Sequence, residues 1–98
     1  MTIQQTRNGN ALTIALEGRL DTMTAPELEA ALKTALEGVG ELTFDLEKLD
    51  YISSAGLRVL LAAQKTMNRQ GSMKVKNANE IITEIFEVTG FSDILTIE

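Results

Sequence analysis

The 98-residue sequence contains no cysteine, no histidine and no tryptophan, and it has a single proline. Without cysteine it can form no disulfide, no thiolate nucleophile and no cysteine-ligated metal site. Without histidine it lacks the commonest zinc ligand and the commonest general base. Walker-type phosphate loops and Gly-x-Ser-x-Gly elbows are also missing. The composition therefore predicts a protein that is not an enzyme and that uses no metal or cofactor.

Basic residues are outnumbered, since 9 Lys and Arg face 14 Asp and Glu, for a net charge of −5. Nucleic-acid-binding proteins normally carry a basic patch, so we expect no nucleic-acid partner. The most apolar run, residues 59–63, is far shorter than the roughly 20 residues of a membrane span. Residues 1–5 also lack the basic and apolar regions of a signal peptide. We expect a cytoplasmic, monomeric protein that does not bind membranes.

The first half of the chain predicts a hairpin followed by a helix. Residues 2–7 and 11–17 flank an Asn-Gly pair, which is the strongest short hairpin signal. Thr24 stands three residues before Glu27, as in a capping box, and a helical apolar stripe then continues to Gly38. A helix between strands favours a parallel crossover to the next strand.

The second half predicts further alternation of strands and helices. The predicted elements are a strand over 41–46, a turn over 50–56, a helix from about 54 to 69, a strand over 72–76, and a helix that opens at 77–80 and ends near Gly90. Residues 94–97 fit either a last strand or a tucked-in tail. The order is β-β-α-β-α-β-α-(β). Residues 1–98 therefore predict a single α/β domain, a mixed sheet of four to five strands with helices packed against it.

Two adjacent serines, Ser53 and Ser54, lie where the third predicted strand runs into a helix. The free N–H groups and positive dipole end of a helix favour anionic groups there. A phosphorylated serine at this position would gain backbone donors while adding about −1.5 to −2 charge. We expect Gly56 to leave the first turn open to close approach by another backbone or a phosphate. The alternative is a simple helix cap, a role in which serine is worth about 1 kcal/mol over alanine.

Two longer segments carry a resemblance to a known family. Residues 17–28, EGRLDTMTAPEL, resemble the first signature of the STAS domain family, and residues 45–60 resemble its second, the phosphoserine loop. The register continues through Gly71 to residues 86–91, so the resemblance covers essentially the whole chain. Within the family, a free-standing domain of this length most resembles bacterial anti-sigma factor antagonists.

The resemblance implies a partner switch in which the unphosphorylated chain binds an anti-sigma factor that is also a serine kinase. Binding releases the sigma factor, phosphorylation of the loop serine breaks the complex, and a serine phosphatase resets it. The family's phosphoacceptor falls on Ser54. Many members have aspartate where this chain has Ser53, so Ser53 is a second choice. An alternative is an adaptor module of a transporter or signalling assembly that works without phosphorylation.

Three carboxylates are available near the serines. Asp21 and Asp50 are predicted to orient the Ser54 hydroxyl and to repel a phosphate placed on it, and Asp21 matches the family's acidic residue after the second strand. Asp21 fits equally well as a carboxylate that caps the loop before the first helix. Asp45 is predicted to be structural. A shallow Mg²⁺ site built from the three carboxylates is a further alternative.

The predicted partner-binding surface surrounds the serine turn and comprises Ser53, Ala55, Gly56, Leu57, Arg58 and Leu61. The apolar arc of this helix spans roughly 200°, which is wider than the ~100° stripe that a one-sided helix needs. Leu57 and Leu61 therefore either form an exposed patch beside Ser54 or are covered by a neighbouring helix.

Overall fold

Alternating apolar patterns fold the chain into four strands and three helices. A computed structural model describes all 98 residues. Its elements are β1 (Thr2–Asn8), β2 (Ala11–Leu20), α1 (Ala25–Ala35), β3 (Glu41–Ile52), α2 (Ser54–Gln70), β4 (Ser72–Lys76), α3 (Glu80–Thr89) and a 3₁₀ turn (Phe91–Asp93). The predicted element order and mixed α/β sheet are confirmed.

The strands form one sheet in the order β1-β2-β3-β4. β1 and β2 pair antiparallel across a turn at Gly9, whose φ of 65° suits glycine, and β2, β3 and β4 pair in parallel. Both parallel crossovers step the same way across the sheet, so their usual right-handedness places α1 and α2 on the same face.

Residues 94–97 form a tucked-in tail with a single strand-like contact. Ile97 makes an isolated parallel bridge to Val75, and the Val75 N–H donates to the Thr96 carbonyl at 2.9 Å. Of the two alternatives for this segment, the structure therefore has the tail.

The helices cover a core of 24 buried hydrophobic residues in one cluster. In β2 the side chains of Leu12, Ile14 and Leu16 are at most 2% exposed, and they alternate with partly exposed residues on the opposite, helix-free face. This alternation is what the sequence pattern predicts for a sheet buried on one side.

β3 is longer than predicted, because it continues from Glu41 to Ile52 instead of ending at residue 46. The predicted turn over residues 50–52 is therefore wrong, and those residues are strand. Two register shifts between β2 and β3, at Ala15/Glu17 and at Gly18/Arg19, interrupt the alternation of buried and exposed positions. Leu49 and Ile52 nevertheless return to the core, each 1% exposed.

Candidate functional site

The two serines have different structural roles at the start of α2. Ser53 is the N-cap: its hydroxyl oxygen accepts from the Gly56 N–H at 3.5 Å, and its own N–H donates to the Leu20 carbonyl at 2.9 Å. Ser54 is the first residue of the helix and is exposed. No hydrogen bond joins its hydroxyl to another residue of the chain. Helix capping therefore explains the serine at position 53, whereas the side chain of Ser54 forms no hydrogen bond that stabilises the fold.

Asp21 holds the turn between β2 and α1. Its Oδ1 accepts from the N–H groups of Thr24 at 3.1 Å and Met23 at 3.0 Å, and Arg19 Nε lies 3.6 Å from Oδ2. The Thr24 backbone hydrogen bond is the largest of the contacts that together lower the pKa of Asp21, against a smaller opposing effect of desolvation. Asp21 is therefore a capping carboxylate, and no hydrogen bond connects it to Ser54.

Thr24 does not cap α1 with its side chain, contrary to the capping-box prediction. Its hydroxyl donates to the Arg19 carbonyl at 2.8 Å and accepts from the Asp21 N–H at 2.9 Å. The hydroxyl is thus occupied within the loop, and the Glu27 N–H donates to the Thr24 backbone carbonyl at 2.9 Å instead.

Asp50 lies on β3 and is exposed, and its carboxylate makes no hydrogen bond. The backbone carbonyls of Asp50 and Leu49 instead accept from the side-chain amide of Asn79, at 3.4 and 3.2 Å. Asn79 also caps α3, because its Oδ1 accepts from the Ile82 N–H at 2.8 Å. Asn79 lies in the segment 77–80 that was predicted to open this helix, and an asparagine just before an apolar helical stripe is a cap signal; its bonds to β3 were not predicted.

Asp45 is structural, as predicted. Its Oδ1 accepts from the Asn77 side-chain amide at 3.0 Å and from the Glu47 N–H at 3.1 Å, and the Asn77 hydrogen bond is the main cause of its lowered pKa. No group of three acidic side chains comes together that could hold a metal ion. The carboxylates of Asp21, Asp45 and Asp50 do not form the ligand set that the Mg²⁺ alternative requires.

Gly56 is buried and does not leave the first turn of α2 open, contrary to the prediction. A Cβ at this position would lie 2.7 Å from Leu20 Cγ and 2.8 Å from Ile52 Cγ1. The absence of a side chain lets α2 pack closely on the ends of β2 and β3. Gly56 therefore sets the position of the Ser54 backbone and offers no surface to a ligand.

The remaining residues of the predicted partner surface divide by exposure. Leu57 is only 4% exposed and belongs to the core, so it is not part of an exposed patch beside Ser54. Arg58 is exposed, and Ser53, Ala55 and Leu61 are partly exposed. An accessible surface thus surrounds Ser54 on α2.

Arg19 and Tyr51 also lie at this end of the sheet; both fall within the segments that resemble the family signatures, but no role in the site was predicted for them. They are paired in the β2–β3 register, and the Arg19 guanidinium carbon lies 4.6 Å from the centre of the Tyr51 ring. Arg58 lies four residues after Ser54, so both occupy the same side of α2. The surroundings of Ser54 therefore carry both signs of charge, with Arg19 and Arg58 beside the carboxylates of Asp21 and Asp50.

Comparison with known proteins identifies the family. The family model described as Mlab, STAS domain, matches residues 3–96. The anti-sigma-B factor antagonist of Bacillus subtilis (strain 168) is 32% identical over 92 residues, covering 93% of this chain and 84% of that protein. The chain belongs to the STAS domain family.

Solved structures show the same fold. An anti-sigma factor antagonist from Mycobacterium paratuberculosis superimposes with a TM-score of 0.89 at 21% identity, covering 98% of this chain and 83% of that one. The Bacillus cell fate determinant SpoIIAA in its phosphorylated form superimposes with a TM-score of 0.77 at 19% identity, covering 99% and 91%. In the present structure, no helix combines the length and the apolar character needed to cross a membrane.

Proposed function

We propose that this chain is an anti-sigma factor antagonist whose binding is switched by phosphorylation of Ser54. The observation that carries the proposal is that the two serines at the start of α2 differ in their contacts. Ser53 caps the helix, while Ser54 is exposed and its hydroxyl makes no hydrogen bond. The unphosphorylated chain binds an anti-sigma factor that is also a serine kinase, and the sigma factor is released. A serine phosphatase restores the unphosphorylated form.

In the proposed transfer, the Ser54 oxygen attacks the γ-phosphorus of ATP bound to the kinase. A new O–P bond forms, the bond from the γ-phosphorus to the bridging oxygen breaks, and ADP leaves. The hydroxyl proton goes to a base on the kinase, because Asp21 is engaged by two backbone amides and neither Asp21 nor Asp50 forms a hydrogen bond with Ser54. Asp21 contributes by fixing the turn beside the serine loop.

The phosphate would act on binding through its charge. It adds about −1.5 to −2 in the middle of the surface formed by Ser54, Arg58 and Leu61. A partner surface fitted to a neutral hydroxyl must then desolvate that charge. In the free chain Arg58 offers a cation on the same side of α2, which stabilises the phosphorylated chain outside the complex. Each 1.4 kcal/mol by which the phosphate weakens the binding free energy lowers the affinity tenfold.

The test is phosphorylation by a purified anti-sigma factor kinase of the same organism with ATP, followed by intact and fragment mass spectrometry. We expect one phosphate, located on Ser54. Ser54→Ala should remove it, and Ser53→Ala is the matched control that should retain it. A phosphate on Ser53 would contradict the assignment. No added phosphate after incubation with the kinase and ATP would favour the adaptor alternative.

A further inference from the structure

The net charge of the chain is concentrated in its last 19 residues. Residues 80–98 contain five acidic side chains and no lysine or arginine: Glu80, Glu84, Glu87, Asp93 and Glu98. Subtracting these five from the fourteen acidic residues leaves nine, which balance the nine basic residues of the first 79 positions. The whole net charge of −5 therefore belongs to α3 and the segment that follows it.

The exposed hydrophobic residues are concentrated in the same segment. Four large hydrophobic side chains are exposed, and three of them lie here: Ile81 at 58%, Val88 at 79% and Ile94 at 46%. Ile81 and Val88 are two helical turns apart on one side of α3, about 10 Å along the axis. On the opposite side Ile82 and Phe86 are fully buried and fix the helix to the core.

Acidic side chains border this apolar strip. Glu84 lies one turn from both Ile81 and Val88, and Glu80 and Glu87 continue the acidic side of α3. None of the three glutamates forms an ion pair, whereas Glu98 pairs with Lys74 at 3.3 Å. An apolar strip beside three unpaired carboxylates therefore remains open on the outside of the fold.

We propose that Ile81, Glu84 and Val88, which we name the α3 surface, bind a basic amphipathic helix of a partner protein. The partner's apolar side chains would cover Ile81 and Val88, and its lysines or arginines would pair with the glutamates. The charge selects this occupant, since anionic membranes and nucleic acids are repelled. A second copy of the chain that docked through its own α3 surface would bring like charges together.

The α3 surface lies on a different helix from Ser54, the residue of the proposed switch. Its partner need not be the anti-sigma factor kinase. Binding at α3 would therefore give the chain a second contact that phosphorylation of Ser54 leaves in place.

The test is a titration of the isotope-labelled full chain with a synthetic amphipathic helix of Lys and Leu, about 18 residues or five turns long. We expect NMR shifts at the α3 surface and none around Ser54. Glu84→Lys and Val88→Ser should each weaken binding about tenfold. Glu29→Lys and Met23→Ser change equally exposed residues elsewhere and should leave the affinity unchanged.

Several results would overturn the proposal. One is a set of shifts spread over all acidic residues, or a loss with Glu29→Lys as large as with Glu84→Lys, because either would indicate non-specific charge attraction. Another is equal affinity for a helix of Glu and Leu, or for a Lys and Leu peptide scrambled to remove its amphipathic pattern. A concentration-dependent dimer that Val88→Ser dissociates in analytical ultracentrifugation would assign the surface to a second copy. Ser54→Ala should bind the peptide like the wild type, whatever becomes of the phosphorylation proposal.

Discussion

Replacing Gly56 by alanine tests how α2, and with it Ser54, is held against the sheet. The added Cβ would lie 2.7 Å from Leu20 Cγ and 2.8 Å from Ile52 Cγ1, where ordinary contacts begin at 3.4 Å. The start of α2 must therefore move by roughly 0.6–0.7 Å, or two fully buried side chains must do so. Overpacking of this kind costs about 1–3 kcal/mol, and the helix propensity of alanine returns at most about 1 kcal/mol.

We therefore expect Gly56→Ala to lower the free energy of unfolding by a net of up to about 2 kcal/mol, measured by urea denaturation. Each kcal/mol corresponds to a fall of about 4–8 °C in Tm for a domain of this size. Ala62→Gly, at an exposed position of α2, measures how much alanine and glycine differ in helix propensity within the same helix. In a Leu20→Ala background, which removes the Leu20 clash but leaves Ile52 Cγ1 at 2.8 Å, Gly56→Ala should cost less than in the wild type. An equal loss in both backgrounds would refute the steric explanation.

Two other substitutions test the contacts around the site. Asn79→Ala removes the α3 cap and the hydrogen bonds to the carbonyls of Leu49 and Asp50, so we expect a loss of about 1–3 kcal/mol in urea unfolding. Asn79→Ser, which keeps a capping oxygen, should lose less, and an equal loss would show that the cap contributes nothing. The pKa of Asp21 is lowered by folding, so its stabilising contribution is present at neutral pH and is lost as the carboxylate protonates below about pH 4. The stability difference between wild type and Asp21→Asn should therefore shrink as the pH falls from 7 to 3, and a constant difference would show that the charge is irrelevant.

Apolar periodicity predicted most of the fold because the buried positions of its elements repeat regularly. Leu28 and Leu32 of α1, four residues apart, are both buried, as the helical stripe requires. The same holds for the alternating residues of β2. Such repeats are local in sequence, so they can be recognised without knowledge of the neighbours.

The features that could not be predicted depend on contacts between distant segments. The β3 extension runs through irregular pairing with β2, where Glu47 and Lys48 are both exposed and interrupt the alternation. The burial of Leu57 depends on what covers α2. The role of Gly56 depends on Leu20, which is 36 positions earlier in the chain and invisible to any local pattern.

The candidate site was predicted in its location but not in its internal contacts. Spacing placed a serine turn at the end of a strand, and the structure has one there. The spacing could not distinguish Ser53 from Ser54 as the cap, because both residues are serines and either position suits that role. The spacing also could not show that the Met23 and Thr24 N–H groups donate to the Asp21 carboxylate, or that the Thr24 side chain does not cap α1. Both depend on the conformation of residues 21–24.

The central claim is that charge on Ser54 controls binding to the anti-sigma factor kinase. The most direct measurement is isothermal titration calorimetry of that kinase with the unphosphorylated chain and with the chain phosphorylated on Ser54, in the absence of ATP. We predict that the phosphate weakens binding at least about tenfold, that Ser54→Asp weakens it in the same direction, and that Ser54→Ala binds like the unphosphorylated chain. Equal Kd values for the phosphorylated and unphosphorylated chains would contradict the account.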